Sequence, residues 1–217
     1  MASIRFGMSI CLAMFLASNV VVAQSATATK EGSAAKQGSA AKEGSAAKQG
    51  SAAKADAEPQ ELKLASEKLI FMAPGAWAKV DPRSRILEAE LKVAASEEGG
   101  QAGRITIMRA GGSIPANIQR WEGQFKNPDG AVEAKTEDVE VEGKPVHFVD
   151  ISGTFQDSMG RPFAGGKKVS RENYCMSAAI IETGDLGNYF FKFIGPKSVV
   201  ESNAEAFKKM VRSMKLK

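Results

Sequence analysis

A six-residue unit decides how much of this chain is able to fold. Lys30-Glu31-Gly32-Ser33-Ala34-Ala35 recurs as KQGSAA, KEGSAA and KQGSAA and closes at Lys54. Its Ala pairs cannot bury enough apolar surface to offset the entropy of ordering the backbone. A Gly in every unit costs a helix about 1 kcal/mol each time relative to Ala. A period of six also rotates successive Lys by about 240° around a helix, so no charged stripe forms. The repeat therefore reads as a flexible spacer, and residues 24–57 span roughly 30 Å as coil. Its Lys residues outnumber Glu31, Glu43 and Asp56. A solvated linker and a weak contact with anionic lipid or acidic polysaccharide are both compatible with that excess.

Upstream of the spacer, Arg5 precedes the uncharged stretch FGMSICLAMFLASNVVVA, Phe6 to Ala23. Val21 and Ala23 put small residues where a signal peptidase requires them, which predicts cleavage after Ala23 and a periplasmic or secreted product beginning at Gln24. The alternative is an uncleaved membrane anchor through residues 6–23. These eighteen residues are near the lower limit for spanning a bilayer, and Ser18 and Asn19 weaken insertion. Cys11 lacks the small-residue context of a lipidation site. Once the leader is removed, Cys175 is the single Cys, so no intrachain disulfide is available. In the apolar run around Cys175, a buried small hydrophobe is the expectation.

Residues 58–217 remain, enough for one domain with its own core. They hold 23 Lys+Arg and 22 Asp+Glu. The folded part is thus nearly neutral, which argues against a nucleic-acid groove despite the overall pI near 9.0. Period-two patterning predicts strands over Lys68–Met72, Ile86–Val93 and Arg104–Arg109. Asp138–Glu142 and Pro145–Ser152 are predicted to form a hairpin across Gly143-Lys144. Cys175–Glu182 and Tyr189–Ile194 form another.

A helix is expected over Ile114–Phe125, with Ser113 as N-cap, Pro115 in its first turn and Ile114, Ile118, Trp121 and Phe125 on one stripe. A second is expected over Val199–Met214, opened by a Ser198/Glu201 capping box. The expected fold class is α+β, an antiparallel sheet of about six or seven strands covered by helices.

The order of an apolar strand, FMAPGAWAKV, antiparallel strands and FFKFIGPKSVVESNAEAFKKMVRSMK is similar to PsbP-like domains over roughly 65–217. That resemblance implies an α/β/α sandwich working as an exported, non-enzymatic binding or assembly module. The RWEGQF segment also resembles uncharacterised exported bacterial proteins, for which no activity is implied. No metal site of the family maps onto this chain, so no metal is carried over.

His147 is the single His, and no GxSxG, HExxH, CxxC or Walker pattern occurs. In the strand Val146–Ile151, His147 and Asp150 are expected on opposite faces, with His147 a satisfied interior group. Three weaker features remain. Gly111, Gly112 and Ser113 lie at a helix start, where backbone N–H groups could meet an anion. Asn117, Arg120 and Gln124 share a helix face and suit a carboxylate, a sugar or backbone carbonyls. The long connection Gln156–Asn173 carries Arg161, Lys167, Lys168 and Arg171, which suggest an acidic partner. Trp77 is expected to plug the core.

The sequence points to a non-catalytic binding or assembly module without a cofactor, meeting an envelope or extracellular protein or an acidic polymer. A small-ligand or polyanion carrier using Gly111–Ser113 and Lys167–Arg171 is the alternative. An enzyme built on Arg120, His147 or Asp150 is a further one.

Overall fold

Alternating apolar residues pull the strands into one large antiparallel sheet. The computed structural model describes residues 57–95, 97–158 and 168–217. The leader with its cleavage point, the repeat spacer, Arg161 and Lys167 lie outside the described residues. In chain order the elements are β1 (Gln60–Leu64), β2 (Leu69–Ala73), β3 (Ala78–Val80), β4 (Ala89–Val93), β5 (Gly103–Ala110) and α1 (Ile114–Glu122). Then follow β6 (Phe125–Lys126), β7 (Lys135–Val141), β8 (Lys144–Ser158), β9 (Lys168–Glu182), β10 (Asn188–Pro196), α2 (Lys197–Arg212) and β11 (Lys215–Leu216). The main sheet has eight strands in the order β3-β4-β5-β10-β9-β8-β6, with β7 also paired to β8. A separate three-stranded sheet runs β1-β2-β11.

Each strand of the main sheet sends alternate side chains to opposite faces, and both faces are covered. On one, Ile105, Ile107, Phe148, Ile181, Phe191 and Phe193 meet Val200, Phe207 and Val211 of α2 and Leu62, Leu69 and Phe71 of the small sheet. Phe71 and Phe191 stand 4.9 Å apart, and Phe193 and Phe207 5.9 Å. Burying side chains of this size stabilises by about 2–3 kcal/mol each. On the other face Val149, Ile151, Met176, Ile180 and Phe190 pack beneath Trp121 and Phe125. Trp121 meets Phe190 edge-on at 5.9 Å. Trp77 is buried, as expected, and its Nε1 donates to Asn203 Oδ1 at 3.3 Å. Cys175 is buried too, with Sγ 3.0 Å from Ser152 Oγ.

The α+β class holds, but the sheet is larger than six or seven strands, and a second sheet shares one face with α2. The covering layer on that side is therefore not helix alone. The strands missed from sequence (β1, β3, β6 and β11) have two to five residues each, too few for period two to stand out.

Other boundaries shift for local reasons. The strand predicted from Ile86 begins at Ala89, and Ile86 is 69% exposed. Helix α1 has the expected Ser113 cap but stops at Glu122, leaving Phe125 to pair in β6. Helix α2 starts at Lys197 with Pro196 as N-cap and no side-chain cap bond, so Ser198 and Glu201 do not form a capping box. The φ of Pro196 is already fixed, and the helix can open directly after it.

The predicted connection Gln156–Asn173 is mostly strand, because β8 continues to Ser158 and β9 begins at Lys168. Its register shifts between Gly153 and Phe155. Gly153 has φ +153°, and a Cβ there would sit 2.8 Å from the Lys126 carbonyl oxygen. On β9 Glu172 and Asn173 stand against Thr154 alone, and Asn173 adopts φ +54°, as in a bulge. The shifted alternation brings Arg171 and Tyr174 to the same side. Among the described residues no helix is long and apolar enough to cross a membrane.

Candidate functional site: a cationic cleft beside helix α1

Neighbouring strands line up basic side chains on the face that carries α1. Lys92 of β4 pairs with Arg104 of β5, and Thr106 of β5 pairs with Lys192 of β10. The pairs Lys92–Arg104 and Thr106–Lys192 thus belong to two successive cross-strand rows, two residues apart along β5, with adjacent strands about 4.8 Å apart. Above these rows opens a cleft of about 800 Å³, also lined by Arg83, Phe155, Asp157, Arg171 and Tyr174.

Three of its five cations are tied to carboxylates. Glu90 is 3% exposed and accepts from Arg104 Nε at 2.6 Å, Arg104 Nη2 at 3.1 Å and the Arg83 backbone N–H at 3.1 Å. The Arg83 guanidinium lies 3.5 Å away. Burial works against the Glu90 charge, but the bonds from Arg104 and the Arg83 N–H outweigh it and hold the carboxyl below its ordinary value. Arg171 donates to Asp157 Oδ2 at 2.9 Å and lies 5.8 Å above the Tyr174 ring. Tyr174 in turn stacks on Phe155 at 6.1 Å, nearly parallel, and donates to Gln101. Both rings line the cleft.

Lys92 and Lys192 have no carboxylate partner among the described residues. Lys192 donates to Gln124 Oε1 at 3.2 Å and lies 5.4 Å from the Trp121 ring centroid. Burial first, then the charges of Arg120 and Arg104, bring its pKa down from 10.5 to about 8.

The structure distributes the sequence candidates unevenly. Ser113 Oγ accepts from the Ala116 N–H at 3.4 Å, capping α1. Buried Asn117 donates to the carbonyls of Gly111 at 3.3 Å and Ser113 at 2.9 Å, and accepts from Arg120. Gly111, Gly112, Ser113, Asn117 and Arg120 are thereby gathered into one internally bonded turn. Gln124, beyond the end of α1, reaches Lys192 instead. Arg171 stands in the cleft, and Lys168 is at the start of β9 opposite Ser158. Arg83, Lys92, Arg104, Tyr174 and Lys192 were missed. Only Lys192 carried a signal, a lone charge in the otherwise apolar NYFFKFIG.

His147 is not the interior group expected. Its ring is part-exposed, with Nδ1 2.8 Å from Asp138 Oδ1 and Nε2 2.9 Å from Glu182 Oε1. Burial opposes its protonation, yet the bonds to Glu182 and Asp138 together prevail and raise its pKa above 6.5. Asp150 faces the other way, as predicted, 3.6 Å from Lys208 of α2. Among the described residues no group of three or more His, Cys, Asp or Glu is placed to hold a metal ion.

The fold and cleft define an α+β domain built around a large antiparallel sheet with a recess lined by basic side chains beside its shorter helix. No family model matches the chain, and no curated protein matches it. Among solved structures it is similar to the cyanobacterial PsbP of Synechocystis sp. PCC 6803, at 12% identity and a TM-score of 0.48, over 80% of this chain and 98% of that one. It is also similar to the Ran-binding protein Mog1p of Saccharomyces cerevisiae, at 10% identity and a TM-score of 0.44, over 74% and 96%. A Pseudomonas aeruginosa protein of unknown function stands at 14% identity and a TM-score of 0.40, over 72% and 95%.

Proposed function

We propose that residues 58–217 form an exported, non-catalytic binding module, carried on the flexible spacer 24–57, that takes an anionic group into the Lys92–Lys192 cleft. The observation that carries this reading is the pair of lysines without carboxylate partners beside a recess of about 800 Å³. That volume falls within the range of small-ligand sites; half-buried Lys192 gains more from an anion there than exposed Lys92 does. The residues an enzyme reading would need support the non-catalytic alternative. Arg120 bonds Asn117, His147 bonds Asp138 and Glu182, and Asp150 faces Lys208 on the other side of the sheet from His147.

Titrating the protein with pyridoxine 5′-phosphate by calorimetry tests the cleft. Binding is expected to weaken about tenfold in Lys92→Ser and to fall with added salt. Equal affinity in wild type and variant argues against the cleft. Export rests on the leader sequence and predicts a mature N-terminus at Gln24. Intact Met1–Ala23 on the protein recovered from its native cell, read by mass spectrometry, would count against cleavage.

A further inference from the structure

Among the described residues, Lys192 is placed unlike the other lysines. Lys208, on the opposite face, is held charged by Glu137 at 2.8 Å and Asp150 at 3.6 Å. Lys192 instead meets an amide oxygen, an indole ring and the repulsion of Arg104 and Arg120. An amide oxygen accepts a hydrogen bond without fixing the proton as a carboxylate would. Desolvation beside other cations is the setting in which a lysine amine becomes a nucleophile.

The rest of the cleft suits one kind of electrophile. Lys92 and Arg104 offer charge to an anionic substituent, and Phe155 and Tyr174 add an aromatic lining that suits a planar ligand. Thr106 of β5 lies directly opposite Lys192 of β10 and supplies a hydroxyl at the same level.

We infer that Lys192 captures a small planar aldehyde or ketone bearing a phosphate or carboxylate, as a reversible imine. This rests on the anion-binding reading of the cleft and adds a covalent step to it. The Nζ lone pair attacks the carbonyl carbon, the C=O π electrons pass to oxygen, and the carbinolamine loses water as the C=N bond forms. No oxidant or reductant takes part, and hydrolysis reverses the step. At mildly alkaline pH a substantial share of Lys192 is the neutral amine that attack requires.

The test treats the full chain at pH 8 with substoichiometric pyridoxal 5′-phosphate, reduces it with borohydride and maps the adducts by mass spectrometry. The adduct is expected at Lys192, at least fivefold above Lys92 or the exposed lysines. Lys192→Arg is expected to abolish it, and the wild type is expected to bind pyridoxine 5′-phosphate, which has an alcohol in place of the aldehyde, without forming an adduct. Adducts spread according to exposure, or centred on Lys92, overturn the inference. Binding of pyridoxine 5′-phosphate without a Lys192 adduct overturns the covalent step and leaves the cleft reading intact. Binding of neither compound overturns both.

Discussion

Replacing Arg104 by alanine is expected to destabilise the domain by about 3 kcal/mol, the cost of leaving a buried carboxylate without its main partner. Glu90 is 3% exposed and receives two bonds from Arg104, at 2.6 and 3.1 Å. After the substitution it would keep the Arg83 N–H at 3.1 Å and a guanidinium contact at 3.5 Å, too little to offset desolvation. At roughly 2–4 °C per kcal/mol for a domain of this size, Tm should fall by about 10 °C. Adding Glu90→Gln should restore more than half of the loss, because no buried charge is then left over.

The pH dependence gives a second reading of the same pair. In the wild type the Glu90 carboxyl lies below its ordinary 4.5. Its contribution is therefore complete above 4.5 and is lost as pH falls through the lower folded value. In Arg104→Ala the unpaired carboxyl should shift the other way, so acidification relieves it. The stability gap between the two proteins should narrow from pH 7 to pH 4 in urea melts. A constant gap, or a loss below about 1 kcal/mol at pH 7, would show that the ion pair is not what steadies this edge of the sheet.

What was legible in the chain follows from where each signal is written. The β7–β8 hairpin was readable from Gly143, but its turn is Glu142 (φ +51°) and Gly143 (φ +70°), one residue earlier than the expected Gly143-Lys144, with Lys144 already in β8. The start of α1 was readable because Ser113 caps it with its own side chain. The start of α2 was misread because Pro196 ends the preceding strand and opens the helix with no side-chain bond, while Ser198 and Glu201 mimic a cap two residues further on. Glycines, a proline and charges around Gly160–Arg171 suggested a long loop. A bulge at Gly153 and Asn173 instead lets both strands continue.

The cleft was hidden for a different reason. Its cations come from β4, β5, β9, β10 and the segment before β4, and they become neighbours only through the strand order 4-5-10-9. Glu90 occupies the charged phase of a strand that reads as half-exposed, yet Arg104 from the next strand allows it to be buried. Pairing of that kind is tertiary information, and no period in a single strand encodes it.

Lys192→Met should stabilise the domain by about 2 kcal/mol at pH 7, measured by chemical denaturation. Each pK unit is worth about 1.4 kcal/mol, and the residue's partial solvent contact discounts the full fall from 10.5 to about 8. The sign follows from proton binding. Between about pH 8 and 10.5 the unfolded chain holds a proton on Lys192 that the native state has released, so wild-type stability rises with pH across that window. The advantage of Met should thus be largest below pH 8 and should shrink to near zero by about pH 10.5. A loss of stability at pH 7, or a gain that ignores pH, would mean that the ammonium is better solvated than its surroundings of Trp121, Gln124 and Arg120 indicate. The same variant should bind pyridoxine 5′-phosphate more weakly. A lysine that lowers stability while raising affinity behaves as part of a site rather than as part of the packing.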